Sequence, residues 1–373
     1  MKYMNKRIAA SIALATVLFS GCGQTAPESS STPTPIRTAT PIPTPTPEST
    51  IESIPEPTPE PTPDLTNMSV NLLTGLYIDK AIAARRPVAI VINNLPKALP
   101  QSGIGQASMY YEVLSEGSIT RIISIFQDFD TAKIGPIRSM RHYFLDFALD
   151  HDAIFAHHGH SPQGKSALRS LGIDNIEGLN VDGTYYWRDA VRKNTPGMFE
   201  HSSYTSAENL WKYINDKARY RTDKAENYEG MFAFYDTATA PIDGIAATKI
   251  TVKFTNAFKP VFTYNPETNL YAREQYNGPH IDELTGNQLM VTNILVQNTS
   301  VRQIVGDREG RRDVTLVGSG TGMLFTQGTA MSVTWKKTSH QSPTEWFDAQ
   351  GNKLTLNAGK TWVCVTSETP AFD

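Results

Sequence analysis

The pattern of apolar and polar positions changes character about two thirds of the way along the chain. Residues 88–93 are a short run rich in β-branched side chains, closed by Asn94 and Pro96, which predicts a buried strand leaving into a turn. Runs at 109–114 and 122–126, separated by the polar stretch 115–118, predict two strands joined by a hairpin or tight connection. Tyr143, Phe144, Phe147 and Ala148 recur at helical spacing within 141–150, and a further short strand is expected at 153–156. Helices are predicted over 162–171, with Ser161 as N-cap and Pro162 at the first position, and over 206–220. Strands mixed with helices indicate a mixed α/β layered domain over residues 67–241. From residue 242 to the end the pattern becomes short β-branched or aromatic runs, punctuated by Gly, Asn, Pro and Asp, which is the rhythm of a sandwich or barrel. The expected fold class is α+β, a mixed α/β domain followed by a mostly β domain at 242–373. Trp335, Trp346 and Trp362 are expected in the core of the latter, with Cys364 an isolated buried thiol.

Residues 1–66 follow neither pattern. Lys2, Lys6 and Arg7 precede an apolar run at 8–19 that ends in Ser20-Gly21, which reads as a secretory leader because a dozen apolar residues are too few to span a bilayer. Cys22 follows, and Leu18-Phe19-Ser20-Gly21-Cys22 resembles a bacterial lipobox. The resemblance implies a signal peptide over 1–22 and lipidation of Cys22, hence a cell-membrane location, lipid-anchored on the extracytoplasmic face. Half of the 24 prolines fall within 23–66 among Ser, Thr and Glu, so this stretch buries no core and is expected to be a disordered linker. As an extended polyproline-II chain it reaches on the order of 100 Å.

Composition narrows the function classes. The formal charge is −3, and residues 67–373 carry 30 Lys/Arg against 31 Asp/Glu, so a nucleic-acid partner held by phosphate neutralisation is excluded. Two cysteines exclude a disulfide scaffold.

Blocks along the chain, among them residues 86–94, Pro100-Gln-Ser-Gly103, residues 111–117, Ile119-Thr-Arg121, residues 134–141, His158-Gly-His-Ser-Pro162, Tyr271-Ala-Arg273, residues 282–286 and Gly359-Lys-Thr-Trp362, resemble the YerB-type bacterial lipoproteins. The resemblance covers residues 77–366. It implies a two-domain extracytoplasmic lipoprotein of a family of unknown function, and supplies no chemistry.

Candidate chemistry comes from the residues. Arg121, Arg138 and Arg141 lie at a strand start and on a Gly-Pro turn before a helix, and guanidinium forks suit carboxylate or phosphate. With Glu112 and Asn93 they form the candidate ligand-binding set; the alternative is a structural network in which the arginines pair with Glu112, Glu116 and Asp146. Five of the eight histidines, His142, His151, His157, His158 and His160, fall within a short stretch. Their spacing matches no zinc motif, and neither metal nor cofactor is expected. His158 and His160, on a glycine-hinged turn after a strand, are the candidate acid or base, with Ser161 a nucleophile or an N-cap. Tyr185, Tyr186, Trp187 and Arg188 fit a glycan site or core packing. Tyr271, Arg273, His280 and Asp282 fit a shallow site or ordinary turn chemistry equally well. No Gly-x-Ser-x-Gly, Ser-x-x-Lys or Walker sequence is present. The reading favoured is a lipoprotein of the cell envelope that binds a wall polymer or an envelope protein of wall synthesis. The alternative is an envelope enzyme acting on a phosphate-bearing or glycan substrate, with an arginine clamp and histidine acid-base chemistry.

Overall fold

The run predicted at 88–93 is strand β1 (Val88–Asn93), buried at all six positions. Successive side chains of a strand point to opposite faces, so burial at every position requires cover on both sides. The structure, a computed structural model, describes residues 64–216 and 220–373. The leader, Cys22 and nearly all of the proline-rich segment lie outside the described residues. The described residues form one unit.

The hairpin expected after β1 is β2 (Met109–Glu116) and β3 (Ile119–Phe126), with a β-bulge between Leu114 and Glu116. Helix α1 (Phe144–Leu149) is shorter than its periodic stretch, and β4 (Ile154–His157) follows one residue later than expected. Helix α2 (Pro162–Leu171) begins at the predicted cap, where Ser161 Oγ accepts from Gly164 N at 3.0 Å. Strand β5 (Asn175–Glu177) and helix α3 (Ala207–Asp216) follow, with shorter elements between and before them.

The later strands include β6 (Ile245–Ala246), β7 (Lys249–Thr251), β8 (Val261–Asn265), β9 (Leu270–Gln275), β10 (Asn293–Asn298), β11 (Gly318–Thr326), β12 (Thr329–Lys337), β13 (Glu345–Phe347), β14 (Thr361–Thr366) and β15 (Ala371–Phe372). The fold is α+β with a mostly β C-terminal part. One mixed sheet of eleven strands runs in the order β6-β12-β11-β10-β14-β2-β3-β1-β4-β5, with β13 paired to β12. The two halves are therefore continuous through a parallel pairing of β14 with β2, in the register Thr361 to Met109 and Val365 to Val113. Strands β7, β8 and β9 are the antiparallel centre of a second, six-stranded sheet.

The large sheet separates two apolar layers. Val88, Ile90, Ile92, Tyr110, Ile122, Ile294 and Trp362 pack in one, with Leu210 and Ile214 of α3 and Ile250, Phe262 and Tyr271 of the second sheet. Ala89, Val91, Tyr111, Ile123, Leu295 and Val363 pack in the other, with Phe144 and Phe147 of α1 and with Trp335 and Trp346. Cys364 is a buried free thiol.

Candidate functional site

Parallel strands β1 and β4 release the chain at adjacent carboxyl ends, the usual place for a ligand crevice in a strand-helix layer. The segment after β3, residues 134–141, is laced between the end of β1 and the turn that follows β4. Arg138 N donates to Val91 O at 2.9 Å, His158 N to Arg138 O at 3.0 Å, and Met140 N to Gly159 O at 2.9 Å. Gly159 is needed here: its φ is +86°, and a Cβ would stand 2.7 Å from Ser139 Oγ. Glu177, at the end of β5, fastens the turn, its Oε1 accepting from Gly159 N at 2.7 Å and Leu179 N at 3.1 Å.

The result is an open cavity of about 300 Å³, lined by Arg138, Ser139, His158, Gly159, His160, Leu179, Arg188, Phe199 and Glu200. Arg138 donates to Glu200 Oε2 at 2.9 Å and to Glu200 O at 3.0 Å, while its buried Nε has no partner. Arg188 bonds Asp182 Oδ2 at 3.1 Å and lies over the half-exposed Phe199 ring, 4.7 Å from its centroid. Two guanidinium groups and the imidazole of His160 thus share one opening with an aromatic face.

His158 is held in one state. Arg188 Nη2 lies 2.8 Å from its Nε2. A guanidinium only donates, so Nε2 accepts, and Nδ1 carries the proton that it gives to Ser203 Oγ at 2.6 Å. Burial, reinforced by Arg188, pulls the His158 pKa down to about 4. A hydrolytic triad places a carboxylate behind the imidazole to stabilise its cation; here a cation stands there.

The other expected ligand residues separate. Arg121 and Arg141 share the Glu116 carboxylate, Arg121 Nη2 at 2.5 Å from Oε1 and Arg141 Nη2 at 2.6 Å from Oε2. Burial, then Arg141, pulls the Arg121 pKa down to about 9 against the opposing Glu116 charge. Burial works against the Glu116 carboxylate, but Arg121 and Arg141 outweigh it and hold its pKa below the usual range. Of the three arginines only Arg138 lines the cavity. Asn93 is buried beneath the segment after Arg188, its Nδ2 2.7 Å from His201 Nδ1.

Glu112 belongs to a different network. It forms a wholly buried ion pair with Arg273 at 2.7 Å, and Arg273 lies 4.3 Å from the Trp362 ring centroid. Arg273 donates to His280 Nδ1 at 2.6 Å, so His280 donates through Nε2 to Gln101 Oε1 at 2.7 Å. Gln101 continues to Asn94 Oδ1 at 3.1 Å, and Asn94 returns to Glu112 Oε1 at 2.9 Å. All four of Tyr271, Arg273, His280 and Asp282 are buried and do not meet in one shallow surface site; Asp282 alone of them lines a separate cavity.

Of the five histidines of the cluster, His158 and His160 line the cavity and the other three do not. His142 meets Asp313 at 3.0 Å, His151 lies 2.7 Å from Tyr111 Oη, and the buried His157 bonds Gly159 O at 2.9 Å. Among the described residues no group of three or more His, Cys, Asp or Glu is placed to hold a metal. Tyr186 is buried and Tyr185 bonds Asp216, so of that aromatic stretch Arg188 alone reaches the cavity. Glu177, Phe199 and Glu200 were not singled out from sequence. Their contribution depends on contacts between segments 11 to 62 positions apart, which leave no local spacing to read.

The comparisons with known proteins agree with this architecture. The family described as protein of unknown function (DUF3048), N-terminal domain, matches residues 73–221, and the corresponding C-terminal domain matches residues 250–363. YerB of Bacillus subtilis (strain 168), which carries a lipoprotein assignment in its name, is 33% identical over 301 residues, covering 80% of this chain and 86% of the relative. The crystal structure of the YerB protein from Bacillus subtilis matches with a TM-score of 0.69 at 31% identity, over 80% of this chain and 98% of that one. The chain belongs to the DUF3048 family, of which YerB is a relative in sequence and in structure.

Proposed function

We propose that the protein is a membrane-anchored, extracytoplasmic lipoprotein that binds a phosphate-bearing polymer of the cell wall between Arg138 and Arg188. The observation that carries the binding site is the pair of guanidinium groups lining one open cavity, with the buried Nε of Arg138 lacking a partner. Glu200, the carboxylate paired with Arg138, is 71% exposed. Such an exposed pair is worth about 0–1 kcal/mol, so an incoming phosphate displaces it at small cost. Phe199 offers a face on which a sugar ring can stack, and His160 can add a third donor. The anchor rests on the lipobox at Cys22, on the relative's lipoprotein name and on the proline-rich spacer that follows. Among the described residues no helix is long and apolar enough to cross a membrane. The enzyme reading is weaker, because both ring nitrogens of His158 are engaged and Ser161 Oγ caps a helix. Retention of the full chain on purified anionic wall polymer tests the proposal. Charge-neutralising changes at Arg138 and Arg188 are expected to abolish it, and unchanged retention by folded variants refutes it.

A further inference from the structure

A second cavity, of about 460 Å³, opens on the seam between the two family-matched segments. That volume is in the range of small-molecule sites, about 300–1,000 Å³. Tyr110 and the backbone of Gly103 and Gly105 line it from the first segment; Leu270, Leu289 and Met290 line it from the second. The bare backbone has a steric cause, since a Cβ on Gly103 would stand 2.4 Å from Lys133 O and one on Gly105 would stand 3.0 Å from Asp282 Oδ2. The lining is mostly apolar and carries one cation.

That cation is Lys360. Its ammonium donates to Gly105 O, and among the described residues it has no carboxylate within ion-pair distance. Asp282, which also lines the cavity, is spoken for: its Oδ1 accepts from Gly103 N at 3.1 Å and Leu284 N at 2.8 Å, and its Oδ2 from Gly105 N at 2.6 Å. Backbone dipoles absorb the acid's charge, while the ammonium is left with a single neutral acceptor. Burial lowers the Lys360 pKa, against the opposing charge of Asp282. A partly buried ammonium with unfilled donor capacity at an apolar cavity selects an anion attached to an apolar body.

We propose that this cavity binds a small amphipathic acid, with an apolar body the size of a phenylalkyl or short acyl group and one carboxylate that pairs with Lys360. The apolar walls remove the body from water at about 25 cal/mol per Å² of buried apolar surface, and the ammonium replaces the carboxylate's lost hydration. The site uses neither Arg138 nor Arg188 and is independent of the wall-polymer proposal.

The test is isothermal titration of the full chain with 3-phenylpropionate and with its neutral amide, 3-phenylpropanamide. The acid is expected to bind at least about tenfold more tightly. Lys360→Met removes that preference, Lys360→Arg keeps it, and Met290→Trp, which fills the cavity, weakens both probes at least about tenfold. Equal affinity for acid and amide, or no binding of either, overturns the proposal on the unmodified protein, whether or not the Lys360 variants fold. Binding unchanged by Met290→Trp, or a preference lost in Arg138→Gln, places the probe elsewhere and also overturns it.

Discussion

The Glu112–Arg273 pair puts two opposite charges where neither has any exposure, and Trp362, Asn94 and Thr120 complete the carboxylate's hydrogen bonds. Breaking a buried pair leaves one charge uncompensated, at a cost of about 3–5 kcal/mol. Arg273→Met is therefore expected to lower the urea unfolding free energy by about that amount, and the Glu112→Gln/Arg273→Met double variant to lose less than the two single changes together. Strict additivity contradicts the pairing. The histidines set a pH dependence. His158 and His151 have pKa values of about 4 and about 3 in the folded chain against 6.5 unfolded, both chiefly through burial. Below pH 6.5 the unfolded chain therefore takes up more protons, and stability falls as pH drops towards 4. Asp146 and Asp150, whose pKa values burial raises, act with the opposite sign. Urea midpoints are expected to fall from pH 7 to 4.5, less steeply in His158→Asn, and a flat profile contradicts the neutral, buried imidazoles.

The same scale shows why the arginine set was only partly legible. Glu112 and Glu116 are four positions apart, which in a regular strand places them on one face. The bulge between Leu114 and Glu116 reverses the phase, turning Glu116 to the side of Val113 and Arg121 and leaving Glu112 with Thr120. Nothing in the spacing of the acids announces that extra residue.

At the scale of elements, periodicity and cap chemistry were readable because they are local. Helix α2 spans the predicted residues, and Ser161 is its cap. Ser161→Ala is expected to cost about 1 kcal/mol in stability while leaving polymer binding unchanged; a selective loss of function at full stability would restore Ser161 as a reactive group. Strands β2 and β14 were both readable as strands, yet their pairing joins Met109 to Thr361. Burial of β14 at all six positions marks an interior strand, but a continuous apolar run does not say which edge it completes. The fold class was thus legible, while the continuity of one sheet across both halves depends on this long-range register.

The whole molecule comprises the folded unit of the described residues, 64–216 and 220–373, and an N-terminal segment that carries the lipobox and the proline-rich stretch. If Cys22 carries the anchor, Cys22→Ala is expected to release the protein into the medium, followed by fractionation and immunoblot; retention in the membrane fraction contradicts lipidation at this residue. With near-zero net charge over residues 67–373, attraction to an anionic polymer has to arise from a local patch rather than a global field. Arg138 lines the proposed cleft, whereas Arg169, in the last turn of α2, lines a separate surface hollow. The most direct measurement is the equilibrium affinity of the full chain for a glycerol-phosphate oligomer at one fixed ionic strength, compared among the unmodified protein, Arg138→Gln and Arg169→Gln. The cleft predicts a loss of at least about tenfold for Arg138→Gln and less than about twofold for Arg169→Gln. Equal losses in the two variants, or none in either, would contradict it.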